Sequence, residues 1–156
     1  MRVTAVVLAR MGSTRLPGKM LLPFAGSTVV GAALARISAC ERVHDVVLAT
    51  STAPADDPLA AQAEALGIDV FRGSEDDVVG RMVGAVASRP VAPDAIVRMC
   101  CDNPLVMPSI VDQGLDLLEG TGADLVTPFE HGTLPFGMGA VCMTTECLGR
   151  IDRMAT

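Results

Sequence analysis

The chain has no tryptophan and no tyrosine, and only four phenylalanines in 156 residues. Single-stranded nucleic acid is gripped by stacking bases on aromatic side chains, so most platforms for that mode are missing. Cations are scarce as well: twelve Lys and Arg face eighteen Asp and Glu, for a net charge of −6. A nucleic-acid partner would need basic residues spread along one face and is not expected. No apolar run approaches the roughly 20 residues that span a bilayer, and Met1-Arg2 leads straight into a strand-like segment instead of a secretory h-region. Membrane insertion is therefore not expected, and a cytoplasmic location is. The five cysteines, Cys40, Cys100, Cys101, Cys142 and Cys147, contain no C-x-x-C and are odd in number. That excludes zinc-site spacing, and they read as reduced, buried small hydrophobes, with the Cys100-Cys101 pair the only hint of redox chemistry.

What is present is a hydrophobic half, made of Val, Leu, Ala, Ile and Met, in a length suited to one domain over residues 1–156 with one core. The alternation of elements predicts the fold class: α/β, a three-layer sandwich around a mostly parallel, doubly wound sheet. Val3 to Leu8 reads as a strand buried on both faces, followed by a helix capped by Ser27 through Val29, Val30, Ala33, Leu34 and Ile37. Val46 to Ala49 is a second strand, and its polar tip Thr50-Ser51-Thr52 falls where α/β folds place ligands. A helix starting at Asp56-Asp57-Pro58 puts Leu59, Ala63 and Leu66 inward and stops at Gly67. Ile68 to Phe71 is a third strand. Ser74 is then the expected cap of a helix with Glu75, Asp76 and Asp77 in its first turn. Ala95 to Met99, Asp124 to Thr127 and Ala140 to Met143 complete the strands, with helices opening at Pro108 and at Thr144 or Thr145.

The stretch Ala9-Arg10-Met11-Gly12-Ser13-Thr14-Arg15-Leu16-Pro17-Gly18-Lys19 concentrates three of the twelve cations just after the first strand. Gly12 and Gly18 let the backbone bend so that N–H groups converge, Ser13 and Thr14 add short donors, and Arg10, Arg15 and Lys19 supply charge. It has the outline of a polyphosphate site. A plain strand-to-helix loop would also favour Gly, Pro and Ser, but not that density of cations. It is not a P-loop, because Met20 stands where a hydroxyl should follow Lys19, and no G-x-G-x-x-G is present. Asp102, just past a predicted strand end on the same sheet edge, is suited to a Mg²⁺ ion brought by a triphosphate. Asp102-Asn103-Pro104 also reads as a turn capping its own backbone, and composition alone favours the turn.

Arg10, Ser13, Thr14, Arg15, Leu16, Pro17, Gly18 and Lys19 closely resemble the nucleotide-binding loop of sugar cytidylyltransferases. Within that group the stretch resembles the enzymes of spore coat polysaccharide biosynthesis more than the 3-deoxy-manno-octulosonate cytidylyltransferases. Arg72-Gly73-Ser74-Glu75-Asp76-Asp77-Val78 with Gly80-Arg81, and Asp102 with Pro104-Leu105, resemble further segments of the same family. The resemblance implies an enzyme that joins CTP to a sugar or sugar acid and releases pyrophosphate, for surface polysaccharide or glycoconjugate synthesis. It implies nucleotide binding by Ala9, Arg10, Gly12, Ser13, Thr14, Arg15 and Lys19, with Arg10 and Lys19 catalytic. Ser74, Asp77 and Arg81 would lie near base or ribose, and Asp102 would hold Mg²⁺. A homodimer is compatible with it. The acid that members often carry near the last strand is here Val141 or Cys142. The chain also ends before segments that relatives have, so the alternative expectation is a shortened, catalytically impaired nucleotide-binding or partner-binding module. No general base is evident: His44 falls at the amino edge of the sheet, while His131, in the loop Pro128 to Gly139, is the histidine within range of a sugar pocket.

Overall fold

The computed structural model describes residues 1–128, 134–135 and 137–155. In chain order the elements are β1 (Val3–Leu8), β2 (Pro23–Phe24), β3 (Ser27–Thr28), α1 (Val29–Ser38), β4 (Asp45–Ser51), α2 (Asp57–Ala65), β5 (Asp69–Gly73), α3 (Val78–Ala87), β6 (Ala95–Cys100), α4 (Pro108–Thr121), β7 (Leu125–Val126), β8 (Val141–Thr144) and α5 (Thr145–Ala155). Six strands form one sheet in the order β5-β4-β1-β6-β8-β7, and β2 and β3 form a small hairpin. Helices cover both faces, giving the three layers expected.

Strand alternation divides the core in two. Val3, Ala5, Val7, Val97 and Met99 pack with residues of α1, α2 and α4. Val6, Leu8, Val47, Ala49 and Ile96 pack with residues of α3 and α5. Every residue of β1 is buried, because both its faces and both its edges are covered. Its apolar, β-branched composition follows from that position. Each large side chain sealed in this way contributes about 1.5–3 kcal/mol.

β1 is also where the connection order reverses. The chain moves outward from β1 to β4 and β5, then returns to β6 on the other side of β1, and all three pairings are parallel. α1 and α2 lie on one face and α3, which brings the chain back, on the other, as right-handed crossovers require. The carboxyl ends of β1 and β6 therefore flank a topological switch point, where loops part and leave a crevice.

The sheet is mostly parallel, as expected; β8 runs antiparallel to β6 and β7 antiparallel to β8, so parallel pairing stops at β6. Several local expectations are corrected. The first helix is capped by Thr28, whose hydroxyl accepts from the Gly31 amide at 3.1 Å, not by Ser27, which is in the hairpin. Ser27 and Thr28 are opposed to Phe24 and Pro23 across a turn in which Ala25 and Gly26 both have positive φ. α3 is capped by Asp77, which accepts from the Gly80 amide at 2.7 Å, while Ser74 accepts from the Asp77 amide one turn earlier. The acids at 75–77 thus precede the helix. Leu66 is exposed because α2 has ended by that residue, and Gly67 closes it with φ +72°.

The Phe71 ring on β5 packs against α3 at Gly84, where a Cβ would stand 2.3 Å from it. Gly84→Ala is expected to lower stability by about 1–2 kcal/mol, since the ring is also confined at Gly73. Denaturant titration checks this, and adding Phe71→Leu should restore most of the loss; equal losses in the single and double variants would deny the contact.

Candidate functional site

The crevice at the switch point is a cleft of about 340 Å³, with Arg10, Gly12, Ser13, Thr14, Arg15 and Lys19 along one wall. Buried Ala9 also lines it, at the point where β1 gives way to the loop. Arg81 of α3 and Arg98 of β6 line it too, so five of the twelve Lys and Arg residues of an acidic chain converge there. Asp102, just beyond β6, closes the side opposite Lys19.

The loop is held at three points. Its start continues β1 into the core through Ala9, and its end is anchored by Met20, which is buried in a single 3-10 turn over Lys19–Leu21. Gly18 enters that turn with φ +70°, a conformation that suits glycine. Gly12 has no positive φ, so the bend assigned to both glycines rests on Gly18 alone. Between the anchors, the amides of Arg10, Gly12, Thr14 and Arg15 have no hydrogen-bond acceptor among the described residues. They are free to receive an anion.

The third anchor is Asp56, which sequence reasoning placed only at a helix start. It is 2% exposed and accepts four hydrogen bonds: from the Met11 amide at 2.7 Å, the Ser51 hydroxyl at 2.5 Å, the Ser51 amide at 3.2 Å and the Thr50 hydroxyl at 3.1 Å. Burial pushes its pKa up, but the Ser51, Met11 and Thr50 donors outweigh this and hold the carboxyl below its ordinary value. Thr50 and Ser51, expected to face a ligand, are buried and serve this carboxylate instead. Its partner Met11 is 45 residues away, a contact no local pattern announces.

Two arginines meet on one carbonyl. Arg10 donates to the Glu75 carbonyl at 3.3 Å and lies 3.6 Å from the Glu75 carboxylate. Arg81, 3% exposed, donates to the same carbonyl at 3.2 Å and to the Ser74 carbonyl. Burial, then the charge of Arg10 beside it, lowers the Arg81 pKa from its usual value, yet a guanidinium of such high basicity stays charged. The Ser74 and Asp77 side chains are engaged in turns and do not line the cleft; Arg81 does. Arg72, between them and β4, donates to the Ser51 and Ala53 carbonyls at 2.9 Å each.

Lys19 Nζ lies 2.8 Å from Asp102 Oδ2, the two candidate residues forming an ion pair across the mouth of the cleft. Beside it, Cys100 lines the floor and Cys101 is buried, its thiol pushed up to about 12 chiefly by burial. All cysteines are free, and among the described residues no three potential ligands cluster as a metal site. His44 is at the opposite edge, where its ring accepts from the Val3 amide at 3.2 Å. His131 lies outside the described residues. Among the described residues, no helix is long and apolar enough to cross a membrane.

A model of the cytidylyltransferase family matches residues 4–135. The chain belongs to that family. Among its relatives are a spore coat polysaccharide biosynthesis protein of Bacillus subtilis, 37% identical over 76% of this chain, and a 3-deoxy-manno-octulosonate cytidylyltransferase of Geobacter sulfurreducens, 34% identical over 74%. The matches span 50% and 44% of those proteins, so this cytidylyltransferase-family chain covers about half their length. A solved cytidylyltransferase from Leptospira borgpetersenii superposes with a TM-score of 0.90 at 35% identity, over 99% of this chain and 65% of that one.

Proposed function

We propose that the cleft binds CTP and supports transfer of its cytidylyl group to a hydroxyl of a sugar or sugar acid. The acceptor oxygen attacks the α-phosphorus, the bond to the β-phosphate breaks, pyrophosphate leaves and the hydroxyl proton passes to solvent. The observation that carries this reading is the convergence of Arg10, Arg15, Lys19 and four unclaimed amides on one side of the cleft, facing Asp102. Family membership supports the choice of CTP, and the names of the relatives support a sugar acid and a role in surface polysaccharide or glycoconjugate synthesis.

Such chemistry is mostly positioning and charge neutralisation. The loop amides and cations grip the triphosphate, and Arg10, Arg15 and Lys19 offset charge arising on the leaving pyrophosphate. The segment from Ser74 to Asp77 acts through its backbone, since its carbonyls fix Arg10 and Arg81. One exposed carboxylate, Asp102, would hold a Mg²⁺ ion brought in with the triphosphate, as such hard cations take one or two carboxylates. The ion would screen the phosphates.

The test is pyrophosphate release with each NTP, Mg²⁺ and a panel of sugars, sugar acids and sugar phosphates. Turnover with CTP and one acceptor is expected. CTP binding without turnover on any acceptor leaves a nucleotide-binding module, and no CTP binding removes the reading. Asp102→Asn should raise the Mg²⁺ concentration needed for half-maximal rate; an unchanged requirement takes Asp102 out of the metal site.

A further inference from the structure

One residue on β6 has no counterpart in the packing around it. At its level the sheet row runs Asp69, Val47, Val6, Arg98 and Val141 across β5, β4, β1, β6 and β8, so Arg98 stands between two valines and the one acid lies three strands away on the edge strand. The neighbours on that face are apolar, with Val6, Ile96 and Met143 buried in the core beneath α3 and α5 and Val141 packed against it. Arg98 is partly buried and lines the cleft, and its side chain has neither a hydrogen bond nor an ion pair among the described residues. A cation partly withdrawn from water without a partner is a net loss to the free protein. Of the other cleft cations, Lys19 has Asp102, Arg10 has Glu75 and Arg81 has two carbonyls, while Arg15, which also lacks a partner among the described residues, is exposed to water.

We propose that Arg98 is an oxyanion-binding residue of the cleft, reserved for an acidic group that the loop cations do not hold. This rests on the cleft being a nucleotide site. A guanidinium presents a planar fork of donors that matches a carboxylate or phosphate. Two groups at the reaction centre have that chemistry: the phosphate joined to the nucleoside and the acid group of an acidic acceptor. Arg98 comes four residues before Asp102, within β6, so it enters the cleft from the sheet and not from the loop that carries Arg10, Arg15 and Lys19.

The experiment compares the full chain with Arg98→Met and Arg98→Lys by calorimetric titration of pyrophosphate, CMP, and 3-deoxy-manno-octulosonate in the presence of CMP. For Arg98→Met, pyrophosphate affinity should stay within about twofold, while affinity for CMP or for the sugar acid falls about tenfold or more, as loss of a charge-assisted bond implies. Arg98→Lys should recover part of the loss. A fall for CMP assigns Arg98 to the nucleotide phosphate, and a fall for the sugar acid alone assigns it to the acceptor. The ligand-free thermal midpoint of Arg98→Met should hold or rise, because an unpaired cation leaves apolar neighbours. The proposal is overturned if all three affinities survive, if pyrophosphate weakens by the same factor as the others, or if both variants lose several degrees of midpoint. Should the unaltered protein bind neither CMP nor CTP, the nucleotide reading fails, and inorganic phosphate decides for Arg98. A phosphate-induced rise in midpoint that Arg98→Met lacks sustains the residue's role; an equal rise, or none, ends it.

Discussion

Lys19→Ala should weaken CTP binding about 10- to 100-fold while moving the thermal midpoint of the ligand-free protein by no more than a degree or two. The two effects separate because they draw on different surroundings. In the free protein the Lys19 and Asp102 side chains are 26% and 47% exposed, and an ion pair so open to water contributes about 0–1 kcal/mol. Against a triphosphate, the ammonium would make charge-assisted hydrogen bonds worth about 1.5–3 kcal/mol. Part of the loss comes from Asp102, whose charge then faces the phosphates unopposed. Lys19→Ala combined with Asp102→Asn should therefore bind CTP better than Lys19→Ala alone in the absence of metal. Titration calorimetry reads both. If CTP affinity survives the loss of Lys19, the loop is not the triphosphate site.

Asp56→Ala should lower stability by about 3 kcal/mol, because it strands buried donors of Thr50, Ser51 and Met11 together. It should also loosen the loop, since the Met11 amide is its anchor to the end of β4. The comparison is Leu115→Ala, a buried residue of α4 whose loss costs about 2–5 kcal/mol. Both should unfold at lower denaturant, but only Asp56→Ala should weaken CTP binding under conditions where each is folded. Equal CTP affinity in the two would reduce Asp56 to a stabilising role. The carboxyl is held below its ordinary value when folded, so its contribution is complete above the unfolded pKa of about 3.9 and fades as pH falls through the folded value. Asp56→Asn should flatten the stability profile in that acid range and leave its shape near neutrality unchanged.

What could be read from the sequence follows from how local each cause is. β1 was legible because burial on every side forces a run that is apolar but for Thr4, and Pro108 and Gly122 punctuate α4 by backbone restrictions that belong to those residues alone. The direction of β7 and β8 leaves no such mark, since a two-residue or four-residue strand has the same alternation either way. The β2–β3 turn was hidden by Ala25, a residue with no preference for positive φ. Ser74 and Asp77 are both good caps, three residues apart, and only the bonded geometry decides that each caps a different turn. In the candidate site, the cationic loop and Asp102 stood out by density and position. Asp56 and Arg98 did not: the first depends on a contact across 45 residues, and the second reads as an ordinary strand arginine until its place between two valines is known.

The Lys19–Asp102 pair has a thermodynamic corollary. On the proposed reading, each partner is the other's placeholder: a triphosphate draws Lys19 away and exposes Asp102 to a cation, and a cation on Asp102 frees Lys19 for phosphate. Whichever arrives first must break the pair, and the second finds it already broken. Nucleotide and metal would then bind with positive coupling, and by reciprocity each raises the affinity of the other by the same factor. The closed pair also leaves the empty cleft less positively charged than its residue list suggests, which disfavours stray anions without a metal to accompany them.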